Sequence, residues 1–315
     1  MEWILCWIVF NHYIINYLMR TLLNKGIESL FKTQLKSISF NEDKLIAHTN
    51  SKQDPWPNKA IENGLNIKIM IINGFKCFIV NSKKKQSNTK RIIYIHGGAY
   101  VSEISQIHWI YIKTLIKETN ATIYVPIYPL SNNKYSSQLD AIKFLLNLYK
   151  EITTSEPACT YTIMGDSAGG NFALILAQQI KINHYPKPKN LILLSPVVSM
   201  EFSPEANKIA HNDPILSYNL LMVVMKWQLQ NQSPKNPLFS PIYGDNNDIG
   251  NIHIFMGQRE VFLYHIERYL KILDKNNIQY SIDIKNDMYH VYPLFIIDKN
   301  AKETNAKIFQ ILNEN

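Results

Sequence analysis

The chain has 315 residues, enough to bury a large core, and its 46% apolar and 18% charged content is that of a globular protein, not a disordered one. Lys and Arg number 33 against 25 Asp and Glu, a formal charge of +8, yet the basic residues are dispersed apart from Lys83-Lys84-Lys85 and Lys90-Arg91. No aromatic residues interleave with these charges, so they read as a solvated turn and exclude a nucleic-acid site, while the net charge still fits a mild attraction to anionic membrane surfaces. Cys6, Cys77 and Cys159 are widely spaced and form no CxxC pair. That excludes a disulfide framework and a zinc site and suits a reducing, cytoplasmic compartment.

The first element is the apolar stretch Trp3 to Met19, interrupted by Asn11, His12 and Asn16 and preceded by Glu2. It lacks the positive start and small-residue cleavage site of a secretory signal. It is also slightly short for a bilayer span. It reads as a helix that packs over the protein or rests on a membrane surface, with a true anchor as the alternative. Residues 1–63 are accordingly expected to be a helical cap or membrane-associated segment, and residues 64–315 a catalytic domain.

From about Leu65 the pattern becomes strand, strand, then strand and helix in alternation. Expected strands are Ile67–Ile72, Phe75–Val80, Ile92–Ile95, Ala121–Tyr124, Tyr161–Met164, Leu191–Leu194, Ile252–Phe255 and Tyr280–Ile284. Several are short, continuous β-branched runs, as parallel strands covered on both faces require. Expected helices are Ile107–Glu118, Ser137–Ile152, Ala168–Ile180, Val261–Asn276 and Pro293–Ile311. The polar stretch Gln86 to Thr89 reads as a hairpin loop between the second and third strands. Alternation predicts an α/β fold with a mostly parallel eight-stranded sheet and helices on both faces. The segment from about Glu201 to Pro237 breaks the rhythm. It is rich in Pro and Asn and carries one helical run, Tyr218 to Trp227, so with residues 1–63 it predicts a lid.

The sharpest motif is Gly165-Asp-Ser-Ala-Gly-Gly170, between the apolar run Tyr161–Met164 and the helical run Asn171–Ala177. That is the strand–turn–helix setting of a G-x-S-x-G elbow, in which a serine occupies a strained turn. Phosphate-binding readings fail, because Asn171 stands where a P-loop needs Lys and Ser167 stands at the second glycine of the dinucleotide fingerprint. A second glycine-rich turn, His96-Gly97-Gly98-Ala99-Tyr100, follows the strand Ile92–Ile95. Acyl transfer creates an oxyanion that pre-placed backbone N–H groups stabilise. Gly98, Ala99 and Ala168 are the expected donors, with Gly97 shaping the turn and His96 holding the loop.

A serine hydroxyl needs a general base. Among the nine histidines, His290 follows the last strand through a polar loop, Lys285 to Tyr289, and so lies at the sheet's carboxyl edge. His265 and His184 sit in or at the end of helical patterns, and His211 and His253 are less well placed. Glu260 ends the loop after the strand Ile252–Phe255 and is the expected acid, with Asp287 too close to His290 in sequence to reach Nδ1 easily and Asp283 inside a strand. Tyr100 and Trp109, together with Met222 and Trp227 of the lid, are expected to line the pocket.

Together with Met288-Tyr-His-Val-Tyr-Pro-Leu-Phe295, Pro126-Ile-Tyr-Pro-Leu130, Asp213-Pro-Ile-Leu-Ser217 and Ser240-Pro-Ile-Tyr-Gly-Asp245, these motifs resemble the hormone-sensitive-lipase-like family of α/β-hydrolases over about Ile92 to Phe295. The resemblance implies a carboxylesterase acting on short- to medium-chain acyl esters, a helical cap, no cofactor and no metal, with Ser167, Glu260 and His290 as the triad. Departures are Ala99 in place of a third glycine, Ser131-Asn132-Asn133 where the family continues Ala-Pro-Glu, and Glu260 where many members have Asp followed by Pro. An amidase, deacetylase or lactone hydrolase, a lipid or sterol ester hydrolase, and a non-catalytic ligand receptor are the rival readings on the same scaffold.

Overall fold

β-Branched and leucine-rich runs too short for helices pair edge to edge into one sheet. The structure is a computed structural model describing residues 42–84, 88–201, 204–210 and 213–314. The apolar stretch Trp3 to Met19 and His211 lie outside the described residues. Strands β1 (Leu65–Ile72) and β2 (Phe75–Ser82) form an antiparallel hairpin. Its two turn residues, Asn73 and Gly74, both have positive φ, as the tight primed turn demands. β3 (Lys90–Ile95), β4 (Thr122–Pro126), β5 (Thr160–Asp166), β6 (Asn190–Leu194), β7 (Asn251–Gly257) and β8 (Tyr280–Lys285) complete the sheet in the order β1-β2-β4-β3-β5-β6-β7-β8. β2 is antiparallel to β4, and every pair from β4 to β8 is parallel.

The expected hairpin between the second and third strands is corrected by this order. β4, all five residues of it buried, lies between β2 and β3. Its continuous apolar run suits a central position.

Helices α1 (Glu42–Asn50) and α2 (Lys59–Glu62) precede the sheet. α3 (Gln106–Thr119), α4 (Gln138–Ser155) and α5 (Ala168–Ile182) follow β3, β4 and β5. α6 (Pro204–Ala210) and α7 (Tyr218–Leu229) fall within the expected lid, and α8 (Leu263–Lys275) and α9 (Lys299–Asn313) close the chain. The period-2 alternation of the strands divides the core. Ile93, Ile95 and Ile163 join α4, α5 and α8 on one face, whereas Ile92, Tyr94 and Met164 join α3 and α9 on the other. The last helix starts later than Pro293 suggested. Tyr292–Leu294 is a single 3₁₀ turn, and α9 begins only after Asp298, whose side chain caps the Ala301 N–H at 3.0 Å.

The described parts of the lid meet over the carboxyl ends of the strands, where Trp227 Nε1 of α7 donates to Glu42 of α1 at 3.2 Å. Among the described residues no helix is long and apolar enough to cross a membrane.

Gly169, in the first turn of α5, presses on β3. A Cβ built there would stand 2.0 Å from the Ile95 carbonyl oxygen and 2.6 Å from that of His96. We predict that Gly169→Ala lowers unfolding stability by about 3 kcal/mol or more, because both opposing atoms are backbone. At Gly74, by contrast, nothing lies within 4 Å and φ is +84°, so alanine there should cost only about 1 kcal/mol. Urea unfolding of the two variants checks the difference, and equal midpoints would refute this account of the elbow.

Candidate active site

Ser167 sits between β5 and α5 with φ 52° and ψ −118°, a conformation that lifts its side chain out of both elements. Its N–H donates to the Leu194 carbonyl at 2.9 Å, and its own carbonyl accepts from Val197, so the neighbouring strand end holds the turn on both sides. His290 enters from the loop after β8, and Glu260 from the loop after β7. Arg259 N–H donates to Met288 O at 3.0 Å, tying those two loops together.

The three side chains converge. His290 Nε2 lies 2.9 Å from Ser167 Oγ, and His290 Nδ1 lies 3.1 Å from Glu260 Oε2. Because a carboxylate only accepts, the ring proton belongs on Nδ1, leaving Nε2 to accept from the Ser167 hydroxyl. His290 is 3% exposed and Glu260 0%. Burial alone would lower the His290 pKa, but the Glu260 hydrogen bond and charge, with Asp213 and Asp166 behind them, raise it above the ordinary histidine value.

Glu260 is itself held. Its Oε1 accepts from Ser195 Oγ at 2.6 Å and from Gly257 N–H at 2.5 Å, and the Ser195 hydroxyl in turn accepts from Val291 N–H at 3.0 Å. Asp213 accepts from the N–H groups of Ile215, Leu216 and Val261, joining the base of the lid to the residue after Glu260. Sequence reading missed both Ser195 and Asp213 in these roles. Ser195 carries no motif beyond standing at a strand end, and Asp213 stands out in the sequence only within the run Asp213-Pro-Ile-Leu-Ser217.

Beside Ser167 lie Gly98, Ala99 and Ala168, whose N–H groups meet no protein acceptor among the described residues. Gly97 differs, since its N–H is taken by Asp166 Oδ1 at 3.1 Å and its part is to shape the loop. His96 donates from Nδ1 to the Gly97 carbonyl at 2.6 Å and stacks on Tyr128 with ring centroids 4.5 Å apart. Burial pushes its pKa down to about 4, so it is neutral and holds the loop. Asp166 is buried, which alone would raise its pKa, yet His108 and Tyr94 outweigh that and hold the carboxyl below its usual value. His265 is a buried helical histidine whose ring nitrogens meet no protein partner among the described residues.

A cavity of about 210 Å³ opens over the triad, walled by apolar side chains that include Ile215, Leu216, Leu221, Met225, Phe262 and Leu294. His48 of α1 faces it and pairs with Ser102 Oγ at 2.9 Å. Of the expected pocket residues, Tyr100 lines the cavity, and the other three do not. Trp109 is buried on the opposite side of α3 against Phe78, donating to the Pro55 carbonyl at 2.9 Å, while Ile107 and His108 reach the cavity instead. Met222 is 41% exposed because the inward stripe of α7 runs through Leu221, Val224 and Met225, about 100° away from it. Trp227 is occupied with Glu42. Among the described residues no group of three His, Cys, Asp or Glu side chains could hold a metal ion.

A family model described as the alpha/beta hydrolase fold matches residues 92–294. A triacylglycerol lipase of Mycobacterium tuberculosis is 28% identical over 185 residues, and an esterase of Acinetobacter venetianus is 25% identical over 218. The alignments take in 55% and 68% of this chain, and span 37% of the lipase and 71% of the esterase. Among solved structures, a hormone-sensitive lipase from a metagenome library superposes with a TM-score of 0.78 at 21% identity, covering 92% of this chain and 97% of its own. The matched segment runs from β3 to the turn after His290 and so contains both glycine-rich turns and all three converging side chains. The chain belongs to the α/β-hydrolase family.

Proposed function

We propose that the protein is a serine carboxylesterase that cleaves short- to medium-chain acyl esters through an acyl-enzyme. The observation that carries this reading is the unbroken relay Ser167 Oγ–His290–Glu260, at 2.9 and 3.1 Å, beside uncommitted N–H groups. In this reading the Ser167 oxygen attacks the ester carbonyl carbon as its proton passes to His290 Nε2. Glu260 stabilises the resulting imidazolium without taking the proton itself. Negative charge on the former carbonyl oxygen meets the N–H groups of Gly98, Ala99 and Ala168, each such donor contributing about 3 kcal/mol to lowering the barrier. The tetrahedral intermediate expels the alcohol, which leaves with the proton held by His290. Water then repeats the sequence and releases the acid. The names of the two relatives, an esterase and a triacylglycerol lipase, support an ester substrate. The small, apolar cavity supports a short acyl chain over a long one.

The test is a series of nitrophenyl esters of increasing acyl length. With the native chain, kcat/KM should peak at about four to eight carbons, each unfilled methylene costing about 1 kcal/mol. Leu221→Ala, which enlarges the cavity wall, should move the peak to longer chains. Ser167→Ala should lower kcat by about four orders of magnitude or more. Hydrolysis that survives that change, or a peak at long chains with no turnover of short ones, would overturn the mechanism or the chain-length assignment respectively.

A pH profile separates the base from the acid. Only neutral His290 accepts the serine proton, so kcat/KM should rise with pH through the His290 pKa. Because Glu260 raises that pKa despite burial, the rise should be centred above the ordinary histidine value. Glu260→Gln removes the raising charge, and should shift the rise to lower pH while cutting the plateau by about three orders of magnitude. An unshifted profile in that variant would show that His290 does not answer to Glu260.

A further inference from the structure

We propose that Asp166 and His108 are positioning residues that clamp the loop bearing the oxyanion donors at both of its ends, an inference that rests on the serine-esterase reading. Asp166 ends β5, one residue before Ser167, and is 2% exposed. Its Oδ1 accepts from Tyr94 Oη at 2.7 Å and from the Gly97 N–H at 3.1 Å. Its Oδ2 faces His108 Nε2 at 3.2 Å.

The protonation of His108 follows from its other nitrogen. Nδ1 lies 3.1 Å from the Ser105 N–H, which can only donate, so Nδ1 is an acceptor and the ring proton sits on Nε2, aimed at Asp166. Ser105 Oγ, 2.7 Å away, also turns its proton toward Nδ1. One carboxylate therefore grips the start of the loop through Gly97 and its end, at Ser105 and the first turn of α3, through His108.

The segment between needs such a grip. Gly98, Ala99 and Tyr100 have φ of 127°, 51° and 64°, and non-glycine residues in that region are strained. The contact at Gly97 is also tight, since a Cβ there would come within 2.3 Å of Asp166 Oδ2. Asparagine at 166 could still accept from Tyr94 and Gly97. Its amide, however, would confront the His108 Nε2–H donor to donor, and moving that proton to Nδ1 would oppose the Ser105 N–H.

Two amide replacements at 108 separate the halves of the clamp. In glutamine the amide nitrogen reaches the place of Nε2 and keeps the bond to Asp166. In asparagine the amide oxygen takes the place of Nδ1 and keeps only the bond to Ser105. Full-length native protein, Asp166→Asn, His108→Gln and His108→Asn are compared for thermal unfolding, for ester kinetics, for inhibition by an alkyl boronic acid that forms a tetrahedral adduct, and for deuterium uptake across residues 96–105.

His108→Asn and Asp166→Asn should lose about 10- to 100-fold in kcat with KM within about twofold, and lose boronate affinity in proportion. Both should take up deuterium faster across residues 96–105, while His108→Gln stays close to the native protein in every measurement. Native kcat in His108→Asn, equal losses in the two His108 variants, or a loss confined to KM would each overturn the proposal. If the native protein cleaves no ester, the esterase reading falls on its own. Deuterium uptake still decides the clamp in that case, and unchanged uptake in His108→Asn and Asp166→Asn would refute it.

Discussion

Glu260 is a carboxylate with no solvent contact, and a buried carboxylate is tolerated only when donors surround it. One oxygen meets the His290 ring, and the other meets the Ser195 hydroxyl and the Gly257 amide. Those donors come from three strand ends, β6, β7 and the loop after β8. The requirement to satisfy one charge thus draws together segments that share no local sequence. Once Glu260 is seated, Ser195 positions the backbone of Val291, and the His290 ring is left with a single orientation, Nδ1 inward and Nε2 toward Ser167.

Strain concentrates around the same point. Among the described residues, and setting aside the glycine, Asn, Asp and His positions that tolerate it, positive φ occurs at Gln230 and at Ala99, Tyr100, Ser167, Ser195 and Val291, the last five all at a strand end or in a loop bordering the triad. For a β-branched residue such as Val291 that conformation is costly, and it persists only because the surroundings over-determine it. Here the surroundings are rigid. β5 and β6 flank the elbow, and Leu194 O and Val197 N–H hold both polar groups of the Ser167 backbone. The parallel sheet stores the strain where its carboxyl edge meets the cavity, which is where the proposed chemistry needs an oxygen and its donors fixed in advance.

The lid supplies a different physical quantity. α1 and α7 add almost only apolar surface to the cavity, and His48 paired with Ser102 is a rare polar contact on that wall. An apolar roof over buried charges keeps water scarce and strengthens each electrostatic contact beneath it. In the proposed esterase, chemistry rests on the sheet edge and selectivity on helices α1 and α7.

Much of this was legible in the order of residues. The sheet's eight runs and the two glycine-rich turns are short-range patterns, written within a few consecutive positions by sterics that act over the same distance. Ser167, His290 and Glu260 could be chosen because strand ends in a parallel sheet all open at one edge, so knowing which loop a residue occupies nearly fixes which neighbours it meets. Tertiary structure decided what depends on helical phase and on long-range satisfaction. Met222 and Leu221 are adjacent in sequence, yet a turn of about 100° sends one to solvent and the other into the cavity. β4 lies between β2 and β3, an order that no local pattern states, since both β3 and β4 are buried runs. Ser195, Asp213 and the pairing of His108 with Asp166 emerged only in the fold. A buried polar group takes whichever partner packing brings to it, across 65, 48 and 58 residues of chain in these cases.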